Sequence, residues 1–243
     1  EISEITNKSV SRNDKNADWY YRKIEPLVDG YKVEISDKNG QVITGNFPLI
    51  GEHNLDNLLL AIASVSICGL TNAQISNAIN NLKSVPGRLE IISAGQSFSA
   101  LVDYAHTPEA IDNVLGALKK QTHGKLIVVL GAGGNRDAEK RPFMGSAAEK
   151  FADKLIITDD NPRDENPAEI RKAVLSGVKN QTDSLEIGSR EEAIKEAVKH
   201  ATVDDTIAVL GKGHETTQEI AGQIIEFDDA KHLQLALKEK FGN

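Results

Sequence analysis

The chain has 243 residues, 40% hydrophobic and 26% charged, which suits a soluble globular protein of one large or two ordinary domains. Its net charge of −8 without a basic cluster argues against nucleic acid or an anionic membrane as partner. A single cysteine, Cys68, excludes an internal disulfide, no Cys/His cluster suggests structural zinc, and no apolar stretch reaches membrane-spanning length. Cys68 lies in an apolar helical run and reads as a small core residue. The polar stretch from Glu1 to Asn16 is unlike a signal peptide, so a cytoplasmic location is expected. The chain starts without Met, as a piece of a longer protein would.

Short strands are expected at residues 19–24, 31–36 and 41–45, with the Asn-Gly pair of Asp37-Lys38-Asn39-Gly40 turning a hairpin between the last two. Helices follow at 55–68 and 72–82, separated by Gly69 and started by Thr71 or Asn72. After Pro86-Gly87 the pattern changes to strands at 89–93, 98–104, 126–130, 154–158, 185–187 and 206–210. Helices lie at 108–120, 142–151, 167–178, 190–201 and 229–240. Apolar strand runs alternating with helices predict an α/β fold with a mostly parallel, Rossmann-like sheet covered on both faces. The boundary is expected at 84–87, giving segments 1–85 and 86–243. There is no internal repeat or low-complexity tract.

Several strand ends carry residues that chain folding does not require. The run Lys154-Leu155-Ile156-Ile157 breaks into Asp159-Asp160-Asn161-Pro162-Arg163-Asp164-Glu165-Asn166-Pro167. Asn166, Pro167 and Glu169 read as an N-cap, a first helical residue and a capping-box partner, which leaves Asp160, Asn161 and Arg163 unexplained. Ligands of open α/β sheets bind at the carboxyl edge. There an arginine fork grips a carboxylate and nearby acids hold an ammonium, so this loop suits a zwitterion such as an amino acid. At Asp103-Tyr104-Ala105-His106-Thr107-Pro108, Thr107 and Pro108 start a helix. Asp103 could meet ribose hydroxyls and an aromatic ring could stack on a base, or the segment is a plain cap with a surface histidine. Gly131-Ala132-Gly133-Gly134-Asn135-Arg136 nearly matches the dinucleotide fingerprint, but Arg136 replaces the third glycine and offers a second anion-binding fork. Gly211-Lys212-Gly213-His214-Glu215 is no P-loop, since no Ser or Thr follows the lysine, and no zincin helix, since Gln218 stands at the second histidine position. Glu215 there could hold a substrate ammonium.

Read in order, these segments join Gly51-Glu52-His53-Asn54-Leu55-Asp56-Asn57, Pro86-Gly87-Arg88-Leu89-Glu90 and Lys140-Arg141-Pro142. The series, from about residue 30 to the C-terminus, closely resembles the Mur ligases, specifically the branch adding the third residue of the peptidoglycan stem peptide. The resemblance implies that residues 1–85 are the tail of a central ATP-binding domain and 86–243 the C-terminal ligase domain. It implies an enzyme that uses ATP and Mg²⁺ to phosphorylate the D-glutamyl carboxylate of UDP-N-acetylmuramoyl-L-Ala-D-Glu, after which the amine of meso-diaminopimelate attacks the acyl phosphate. By this resemblance Asn54, Asn57, Arg88, Asp103 and His106 face the nucleotide. Arg136, Asp160, Asn161, Arg163, Gly211 and Glu215 hold the diamino acid. The Walker-type Gly-Lys-Thr loop and the magnesium-coordinating lysine of the family are not in this sequence, so no catalytic or metal-ligating residue is assigned and the segment alone is expected to be inactive. One departure is Thr217, where the family often has an aromatic residue. Two alternatives remain: a dehydrogenase using the Gly131–Arg136 turn, against which the other motifs count, and a non-catalytic amino-acid or nucleotide binding module related to Mur ligases.

Overall fold

The computed structural model describes residues 8–27, 30–179 and 183–242, in two compact units that divide between Lys83 and Ser84. In the first unit, Val10–Ser11 (β1) pairs parallel to Trp19–Leu27 (β2), which continues antiparallel through Gly30–Asp37 (β3) to Val42–Phe47 (β4). Alternation along β4 buries Ile43, Gly45 and Phe47 and exposes Val42, Thr44 and Asn46, the period of a half-buried strand. Helices Glu52–Ile67 (α1) and Asn72–Asn80 (α2) lay Leu55, Leu59, Ile62, Ile75 and Ile79 into the same core. Each such side chain contributes about 1.5–3 kcal/mol on burial. Thr71 starts α2 through a reciprocal capping box with Gln74.

The expected hairpin is present: β3 pairs with β4 across residues 38–41, with Gly40 at φ 82° and Asp37 bonded to Gln41 at its base. One expectation fails here: Cys68 is exposed, not buried. It follows the end of α1, where successive steps of about 100° carry it to the side opposite Leu55 and Ile62.

The second unit is built on a six-stranded sheet. Its strands are Glu90–Ile91 (β5), Ser99–Asp103 (β6), Leu126–Ala132 (β7), Lys154–Asp159 (β8), Ser184–Glu186 (β9) and Thr206–Leu210 (β10), in the order β5-β6-β10-β7-β8-β9. All pairings are parallel except that of β5, which runs antiparallel to β6 at the edge. Every residue of β7 and β10 is buried, as expected of strands covered on both faces. Helices Arg190–His200 (α6) and Asp229–Phe241 (α7) pack Ile194, Val198, Leu233 and Leu237 against Val102, Ile127, Val129, Ile156 and Val209. Pro108–Gln121 (α3), Lys140–Glu149 (α4) and Pro167–Leu175 (α5) lie next to one another and bury Ile111, Leu115, Met144, Ile170 and Val174. Insertion of β10 between β6 and β7 creates the strand-order reversal beside which doubly wound sheets bind ligands.

Asn166 caps α5 by accepting from the Ala168 N–H, but Glu169 does not close a capping box; it lies 3.9 Å from Lys172. A hairpin absent from the sequence expectation follows β10. Thr217–Ile220 (β11) and Gln223–Glu226 (β12) pair antiparallel through Ala221 and Gly222, at φ 49° and 75°. Two consecutive positive φ values make a type I′ turn, whose twist matches that of the strands.

Candidate functional site

The loops leaving β6, β7, β8 and β10 converge at the carboxyl edge of the sheet on a cavity of about 160 Å³. Tyr104 and His106 enter from the first loop and Gly131, Gly133 and Arg136 from the second. Asp160, Asn161 and Arg163 come from the third, and Gly211 and Glu215 from the fourth. Seven sequence candidates therefore meet in one place. Asn54 and Asn57 belong to α1 in the first unit, where Asn54 Nδ2 donates to Ile50 O at 2.7 Å and Asn57 is exposed.

The loop after β8 is held as though it were a strand. Arg163 sits at φ 52°, its N–H donates to Glu219 O at 2.9 Å, and its carbonyl accepts from Ala221 N at 2.7 Å. Gln218 Nε2 donates to Asp160 O at 2.7 Å, and Glu219 N to Asn161 Oδ1 at 3.0 Å. These bonds from β11 support a left-handed conformation that costs a non-glycine residue about 1–3 kcal/mol. The Arg163 guanidinium donates from Nη1 to Gly134 O at 2.8 Å and pairs through Nε with Glu219 at 3.3 Å. Its Nη2 makes no hydrogen bond among the described residues.

Two carboxylates face this arginine's loop. Glu215 Oε2 accepts from Asn161 Nδ2 at 2.8 Å and from Lys212 Nζ at 3.2 Å; its Oε1 is unbonded among the described residues. Lys212 is fully buried and also donates to Asn161 Oδ1 at 3.1 Å. Asp160 is only 7% exposed, yet no hydrogen bond reaches its carboxylate among the described residues. Burial pushes the Asp160 carboxyl above the usual carboxylate range, against the pull of Arg190 and Lys212. An added Cβ at Gly211, φ 119°, would stand 2.5 Å from Asp160 Oδ2, so glycine there keeps room for the acid.

The glycine-rich loop after β7 is a brace for its neighbour. Gly134 N donates to Asn161 O at 2.8 Å, and its Cα packs so closely on Pro162 O that a side chain would collide. Arg141 grips Glu165 with both terminal nitrogens at 2.8 Å, and Glu165 accepts from Asn135 N. The Arg141 guanidinium holds the Glu165 carboxyl below its ordinary range. Helix α4 begins only at Lys140, beyond an exposed Arg136. The dinucleotide reading fails on this point, because that fingerprint needs the glycine turn to feed directly into a helix N-terminus.

On the β6 loop, Asp103 is buried, and its oxygens accept from Leu89 N and Ala105 N, both at 2.8 Å. These two bonds fix the orientation of the carboxylate at the end of β6. His106 Nδ1 lies 2.8 Å from Tyr104 O, and the Arg88 guanidinium stands 5.0 Å from the centre of the Tyr104 ring. Behind the cavity, Arg190 donates from Nε and Nη2 to the two oxygens of Asp229 at 2.7 and 2.6 Å, with both side chains fully buried. Sequence reasoning missed Lys212, Arg190 and Asp229 as site-forming groups. Among the described residues no three His, Cys, Asp or Glu side chains converge to hold a metal ion, and no helix is long and apolar enough to cross a membrane.

A doubly wound sheet with this cavity belongs to a recognisable class. Residues 87–213, just over half of the chain, match the family described as Mur ligase, glutamate ligase domain, and the chain belongs to that family. Its similar relatives include the UDP-N-acetylmuramoyl-L-alanyl-D-glutamate–2,6-diaminopimelate ligases of Coxiella burnetii and Aquifex aeolicus. They are 40% and 46% identical over 88% and 75% of this chain, respectively. The chain spans 44% and 38% of those proteins, somewhat under half their length. A solved structure of a ligase of the same name superposes with a TM-score of 0.77 and 33% identity, over 96% of this chain and 48% of that one. A UDP-N-acetylmuramate-alanine ligase from Thermotoga maritima shares the fold with a TM-score of 0.63 at 15% identity, over 96% and 48% of the two chains.

Proposed function

We propose that this chain forms the amino-acid-binding part of an ATP-dependent, amide-forming ligase, and that the amino acid is meso-diaminopimelate. The observation carrying this reading is the charge pattern of the cavity. Asp160 and Glu215 each bring an unbonded carboxylate oxygen, while Arg136 and Arg163 bring guanidinium donors. An amino acid offers the complementary ammonium and carboxylate, and meso-diaminopimelate offers two of each. Lysine lacks the distal carboxylate and would forgo one of the two guanidinium contacts that diaminopimelate can make.

On this reading the acceptor is UDP-N-acetylmuramoyl-L-Ala-D-Glu, activated as an acyl phosphate, and the product belongs to peptidoglycan synthesis. The work of this chain is positioning: two arginines and two acids hold the diamino acid so that one amine can attack the carbonyl. Arg88 and His106 would meet the nucleotide on the Tyr104 side of the cavity. ATP supplies the phosphoryl group that makes the carboxylate reactive, and magnesium would offset its charge. No group of three His, Cys, Asp or Glu side chains for that ion converges among the described residues. The test is calorimetric titration of residues 1–243 with meso-diaminopimelate and L-lysine, beside amide formation by the full-length protein. Binding of diaminopimelate without turnover by the 243-residue chain, and turnover by the full-length protein, is the expected pair of results. Equal binding of lysine sinks the assignment, and turnover by residues 1–243 alone overturns the positioning-only role. Diaminopimelate binding without turnover by the full-length protein would instead favour a non-catalytic module.

A further inference from the structure

Arg190 makes more bonds than its ion pair. From the first residue of α6, Nη2 donates to Leu210 O at 3.0 Å and Nη1 to Asp159 O at 3.4 Å. Leu210 and Asp159 are the last residues of β10 and β8, which are not neighbours in the sheet; β7 lies between them. One guanidinium therefore spans the end of β7 and ties together the two flanking strand ends. The next residues along the chain, Gly211 and Asp160, line the cavity. Asp229, the first residue of α7, takes two parallel bonds from the same guanidinium, the bidentate geometry that fixes it in plane. An ammonium has no fork with which to reach a carboxylate and two carbonyls on separate strands.

We propose that Arg190 is a positioning residue that sets the separation between the Asp160 and Gly211–Glu215 walls of the amino-acid site. The proposal rests on the function inferred above. Stability and positioning make different demands. A buried ion pair exchanged for apolar side chains of similar size commonly keeps or raises stability, but no apolar side chain donates to the Leu210 and Asp159 carbonyls. A drift of the two walls by about 1 Å is enough to spoil alignment of a bound amine.

The experiment uses full-length protein carrying Arg190→Met together with Asp229→Leu, and separately Arg190→Lys, which keeps the charge opposite Asp229. Thermal midpoint, and KM for diaminopimelate, ATP and the UDP-linked acceptor, are measured for each. Both variants are expected to raise KM for diaminopimelate about tenfold or more, with KM for ATP and acceptor within about twofold. The double variant also withdraws a donor from the Leu210 and Asp159 carbonyls, so its thermal midpoint is read beside the ratio of the three KM values, which separates positioning from folding. If its KM for diaminopimelate equals that of the parent, or if all three KM values rise in parallel, the bridge has no positioning role. Should the double variant not fold, Arg190→Lys with an unchanged KM for diaminopimelate has the same force. A parent protein that does not use diaminopimelate defeats the reading of the site itself, and this proposal with it.

Discussion

Lys212 and Glu215 form an ion pair at 3.2 Å in which the lysine side chain is wholly buried and the glutamate 34% exposed. The lysine sits behind the cavity wall and reaches the ligand space only through Glu215 and Asn161. Glu215→Gln keeps an acceptor oxygen but removes the negative charge opposite the buried Lys212 cation. The expected loss of stability is about 1–3 kcal/mol, less than for a fully buried pair because Glu215 is partly solvated. Urea unfolding of the variant against the parent measures it; identical midpoints would mean the pair contributes nothing.

Arg163→Ala should abolish discrimination between meso-diaminopimelate and L-lysine. A site that hydrogen-bonds a substrate group can reject the analogue lacking it by factors on the order of 10⁴, and Arg163 is the guanidinium anchored beside Asn161. The ratio of kcat/KM for the two amino acids, in full-length protein, is the measurement. A ratio like the parent's would take the distal carboxylate away from Arg163.

Arg88→Ala should weaken ATP by about 1.5–3 kcal/mol and leave the diamino acid unaffected, since Arg88 lies over the Tyr104 ring and outside the cavity lining. Asp103→Ala differs, because it strands the Leu89 and Ala105 N–H groups. It should lower thermal stability as well as nucleotide affinity. Equal weakening of both substrates by Arg88→Ala would refute the division of roles.

The Asp160 carboxyl is raised above its ordinary 3.8 by burial. From about pH 4 up to its native value, the folded protein holds a proton that the unfolded chain has lost, so stability falls as pH rises through that window. Asp160→Asn removes this dependence. Its thermal midpoint relative to the parent should be flat near pH 4 and climb as pH rises, while affinity for the diamino acid falls. Parallel pH curves for the two proteins would show that Asp160 costs the fold nothing.

The parallel strands were legible because Leu126–Ala132, Lys154–Asp159 and Thr206–Leu210 are compact apolar runs stopped by glycine or polar loops. The residues at their carboxyl ends stood out because no turn or cap required them. The hairpin was not legible, since β11 buries only Gln218 and so carries no apolar alternation, and Ala221-Gly222 is not a strong turn pair. Buried Arg190 and Lys212 resemble surface cations in a sequence. Their partners Asp229 and Asn161 lie 39 and 51 residues away, a proximity only tertiary packing creates. The main-chain bonds of Asp103 to Leu89 and Ala105 were likewise hidden, since Leu89 lies 14 residues away.

Because β11 gives its main-chain hydrogen bonds to Arg163 and Asn161 and lies outside the large sheet, ligand preference on the proposed reading would depend partly on strand register. A shift of one residue turns every side chain of a strand to its other face. One residue inserted between Thr216 and Gln218 would exchange the roles of Gln218 and Glu219, freeing Arg163 from its carboxylate partner and Asp160 O from its amide donor. Selectivity can thus drift through insertions and deletions at the rim, with every residue of the cavity wall unchanged. Such an insertion is expected to erase the diaminopimelate preference as fully as Arg163→Ala, in the same paired assay.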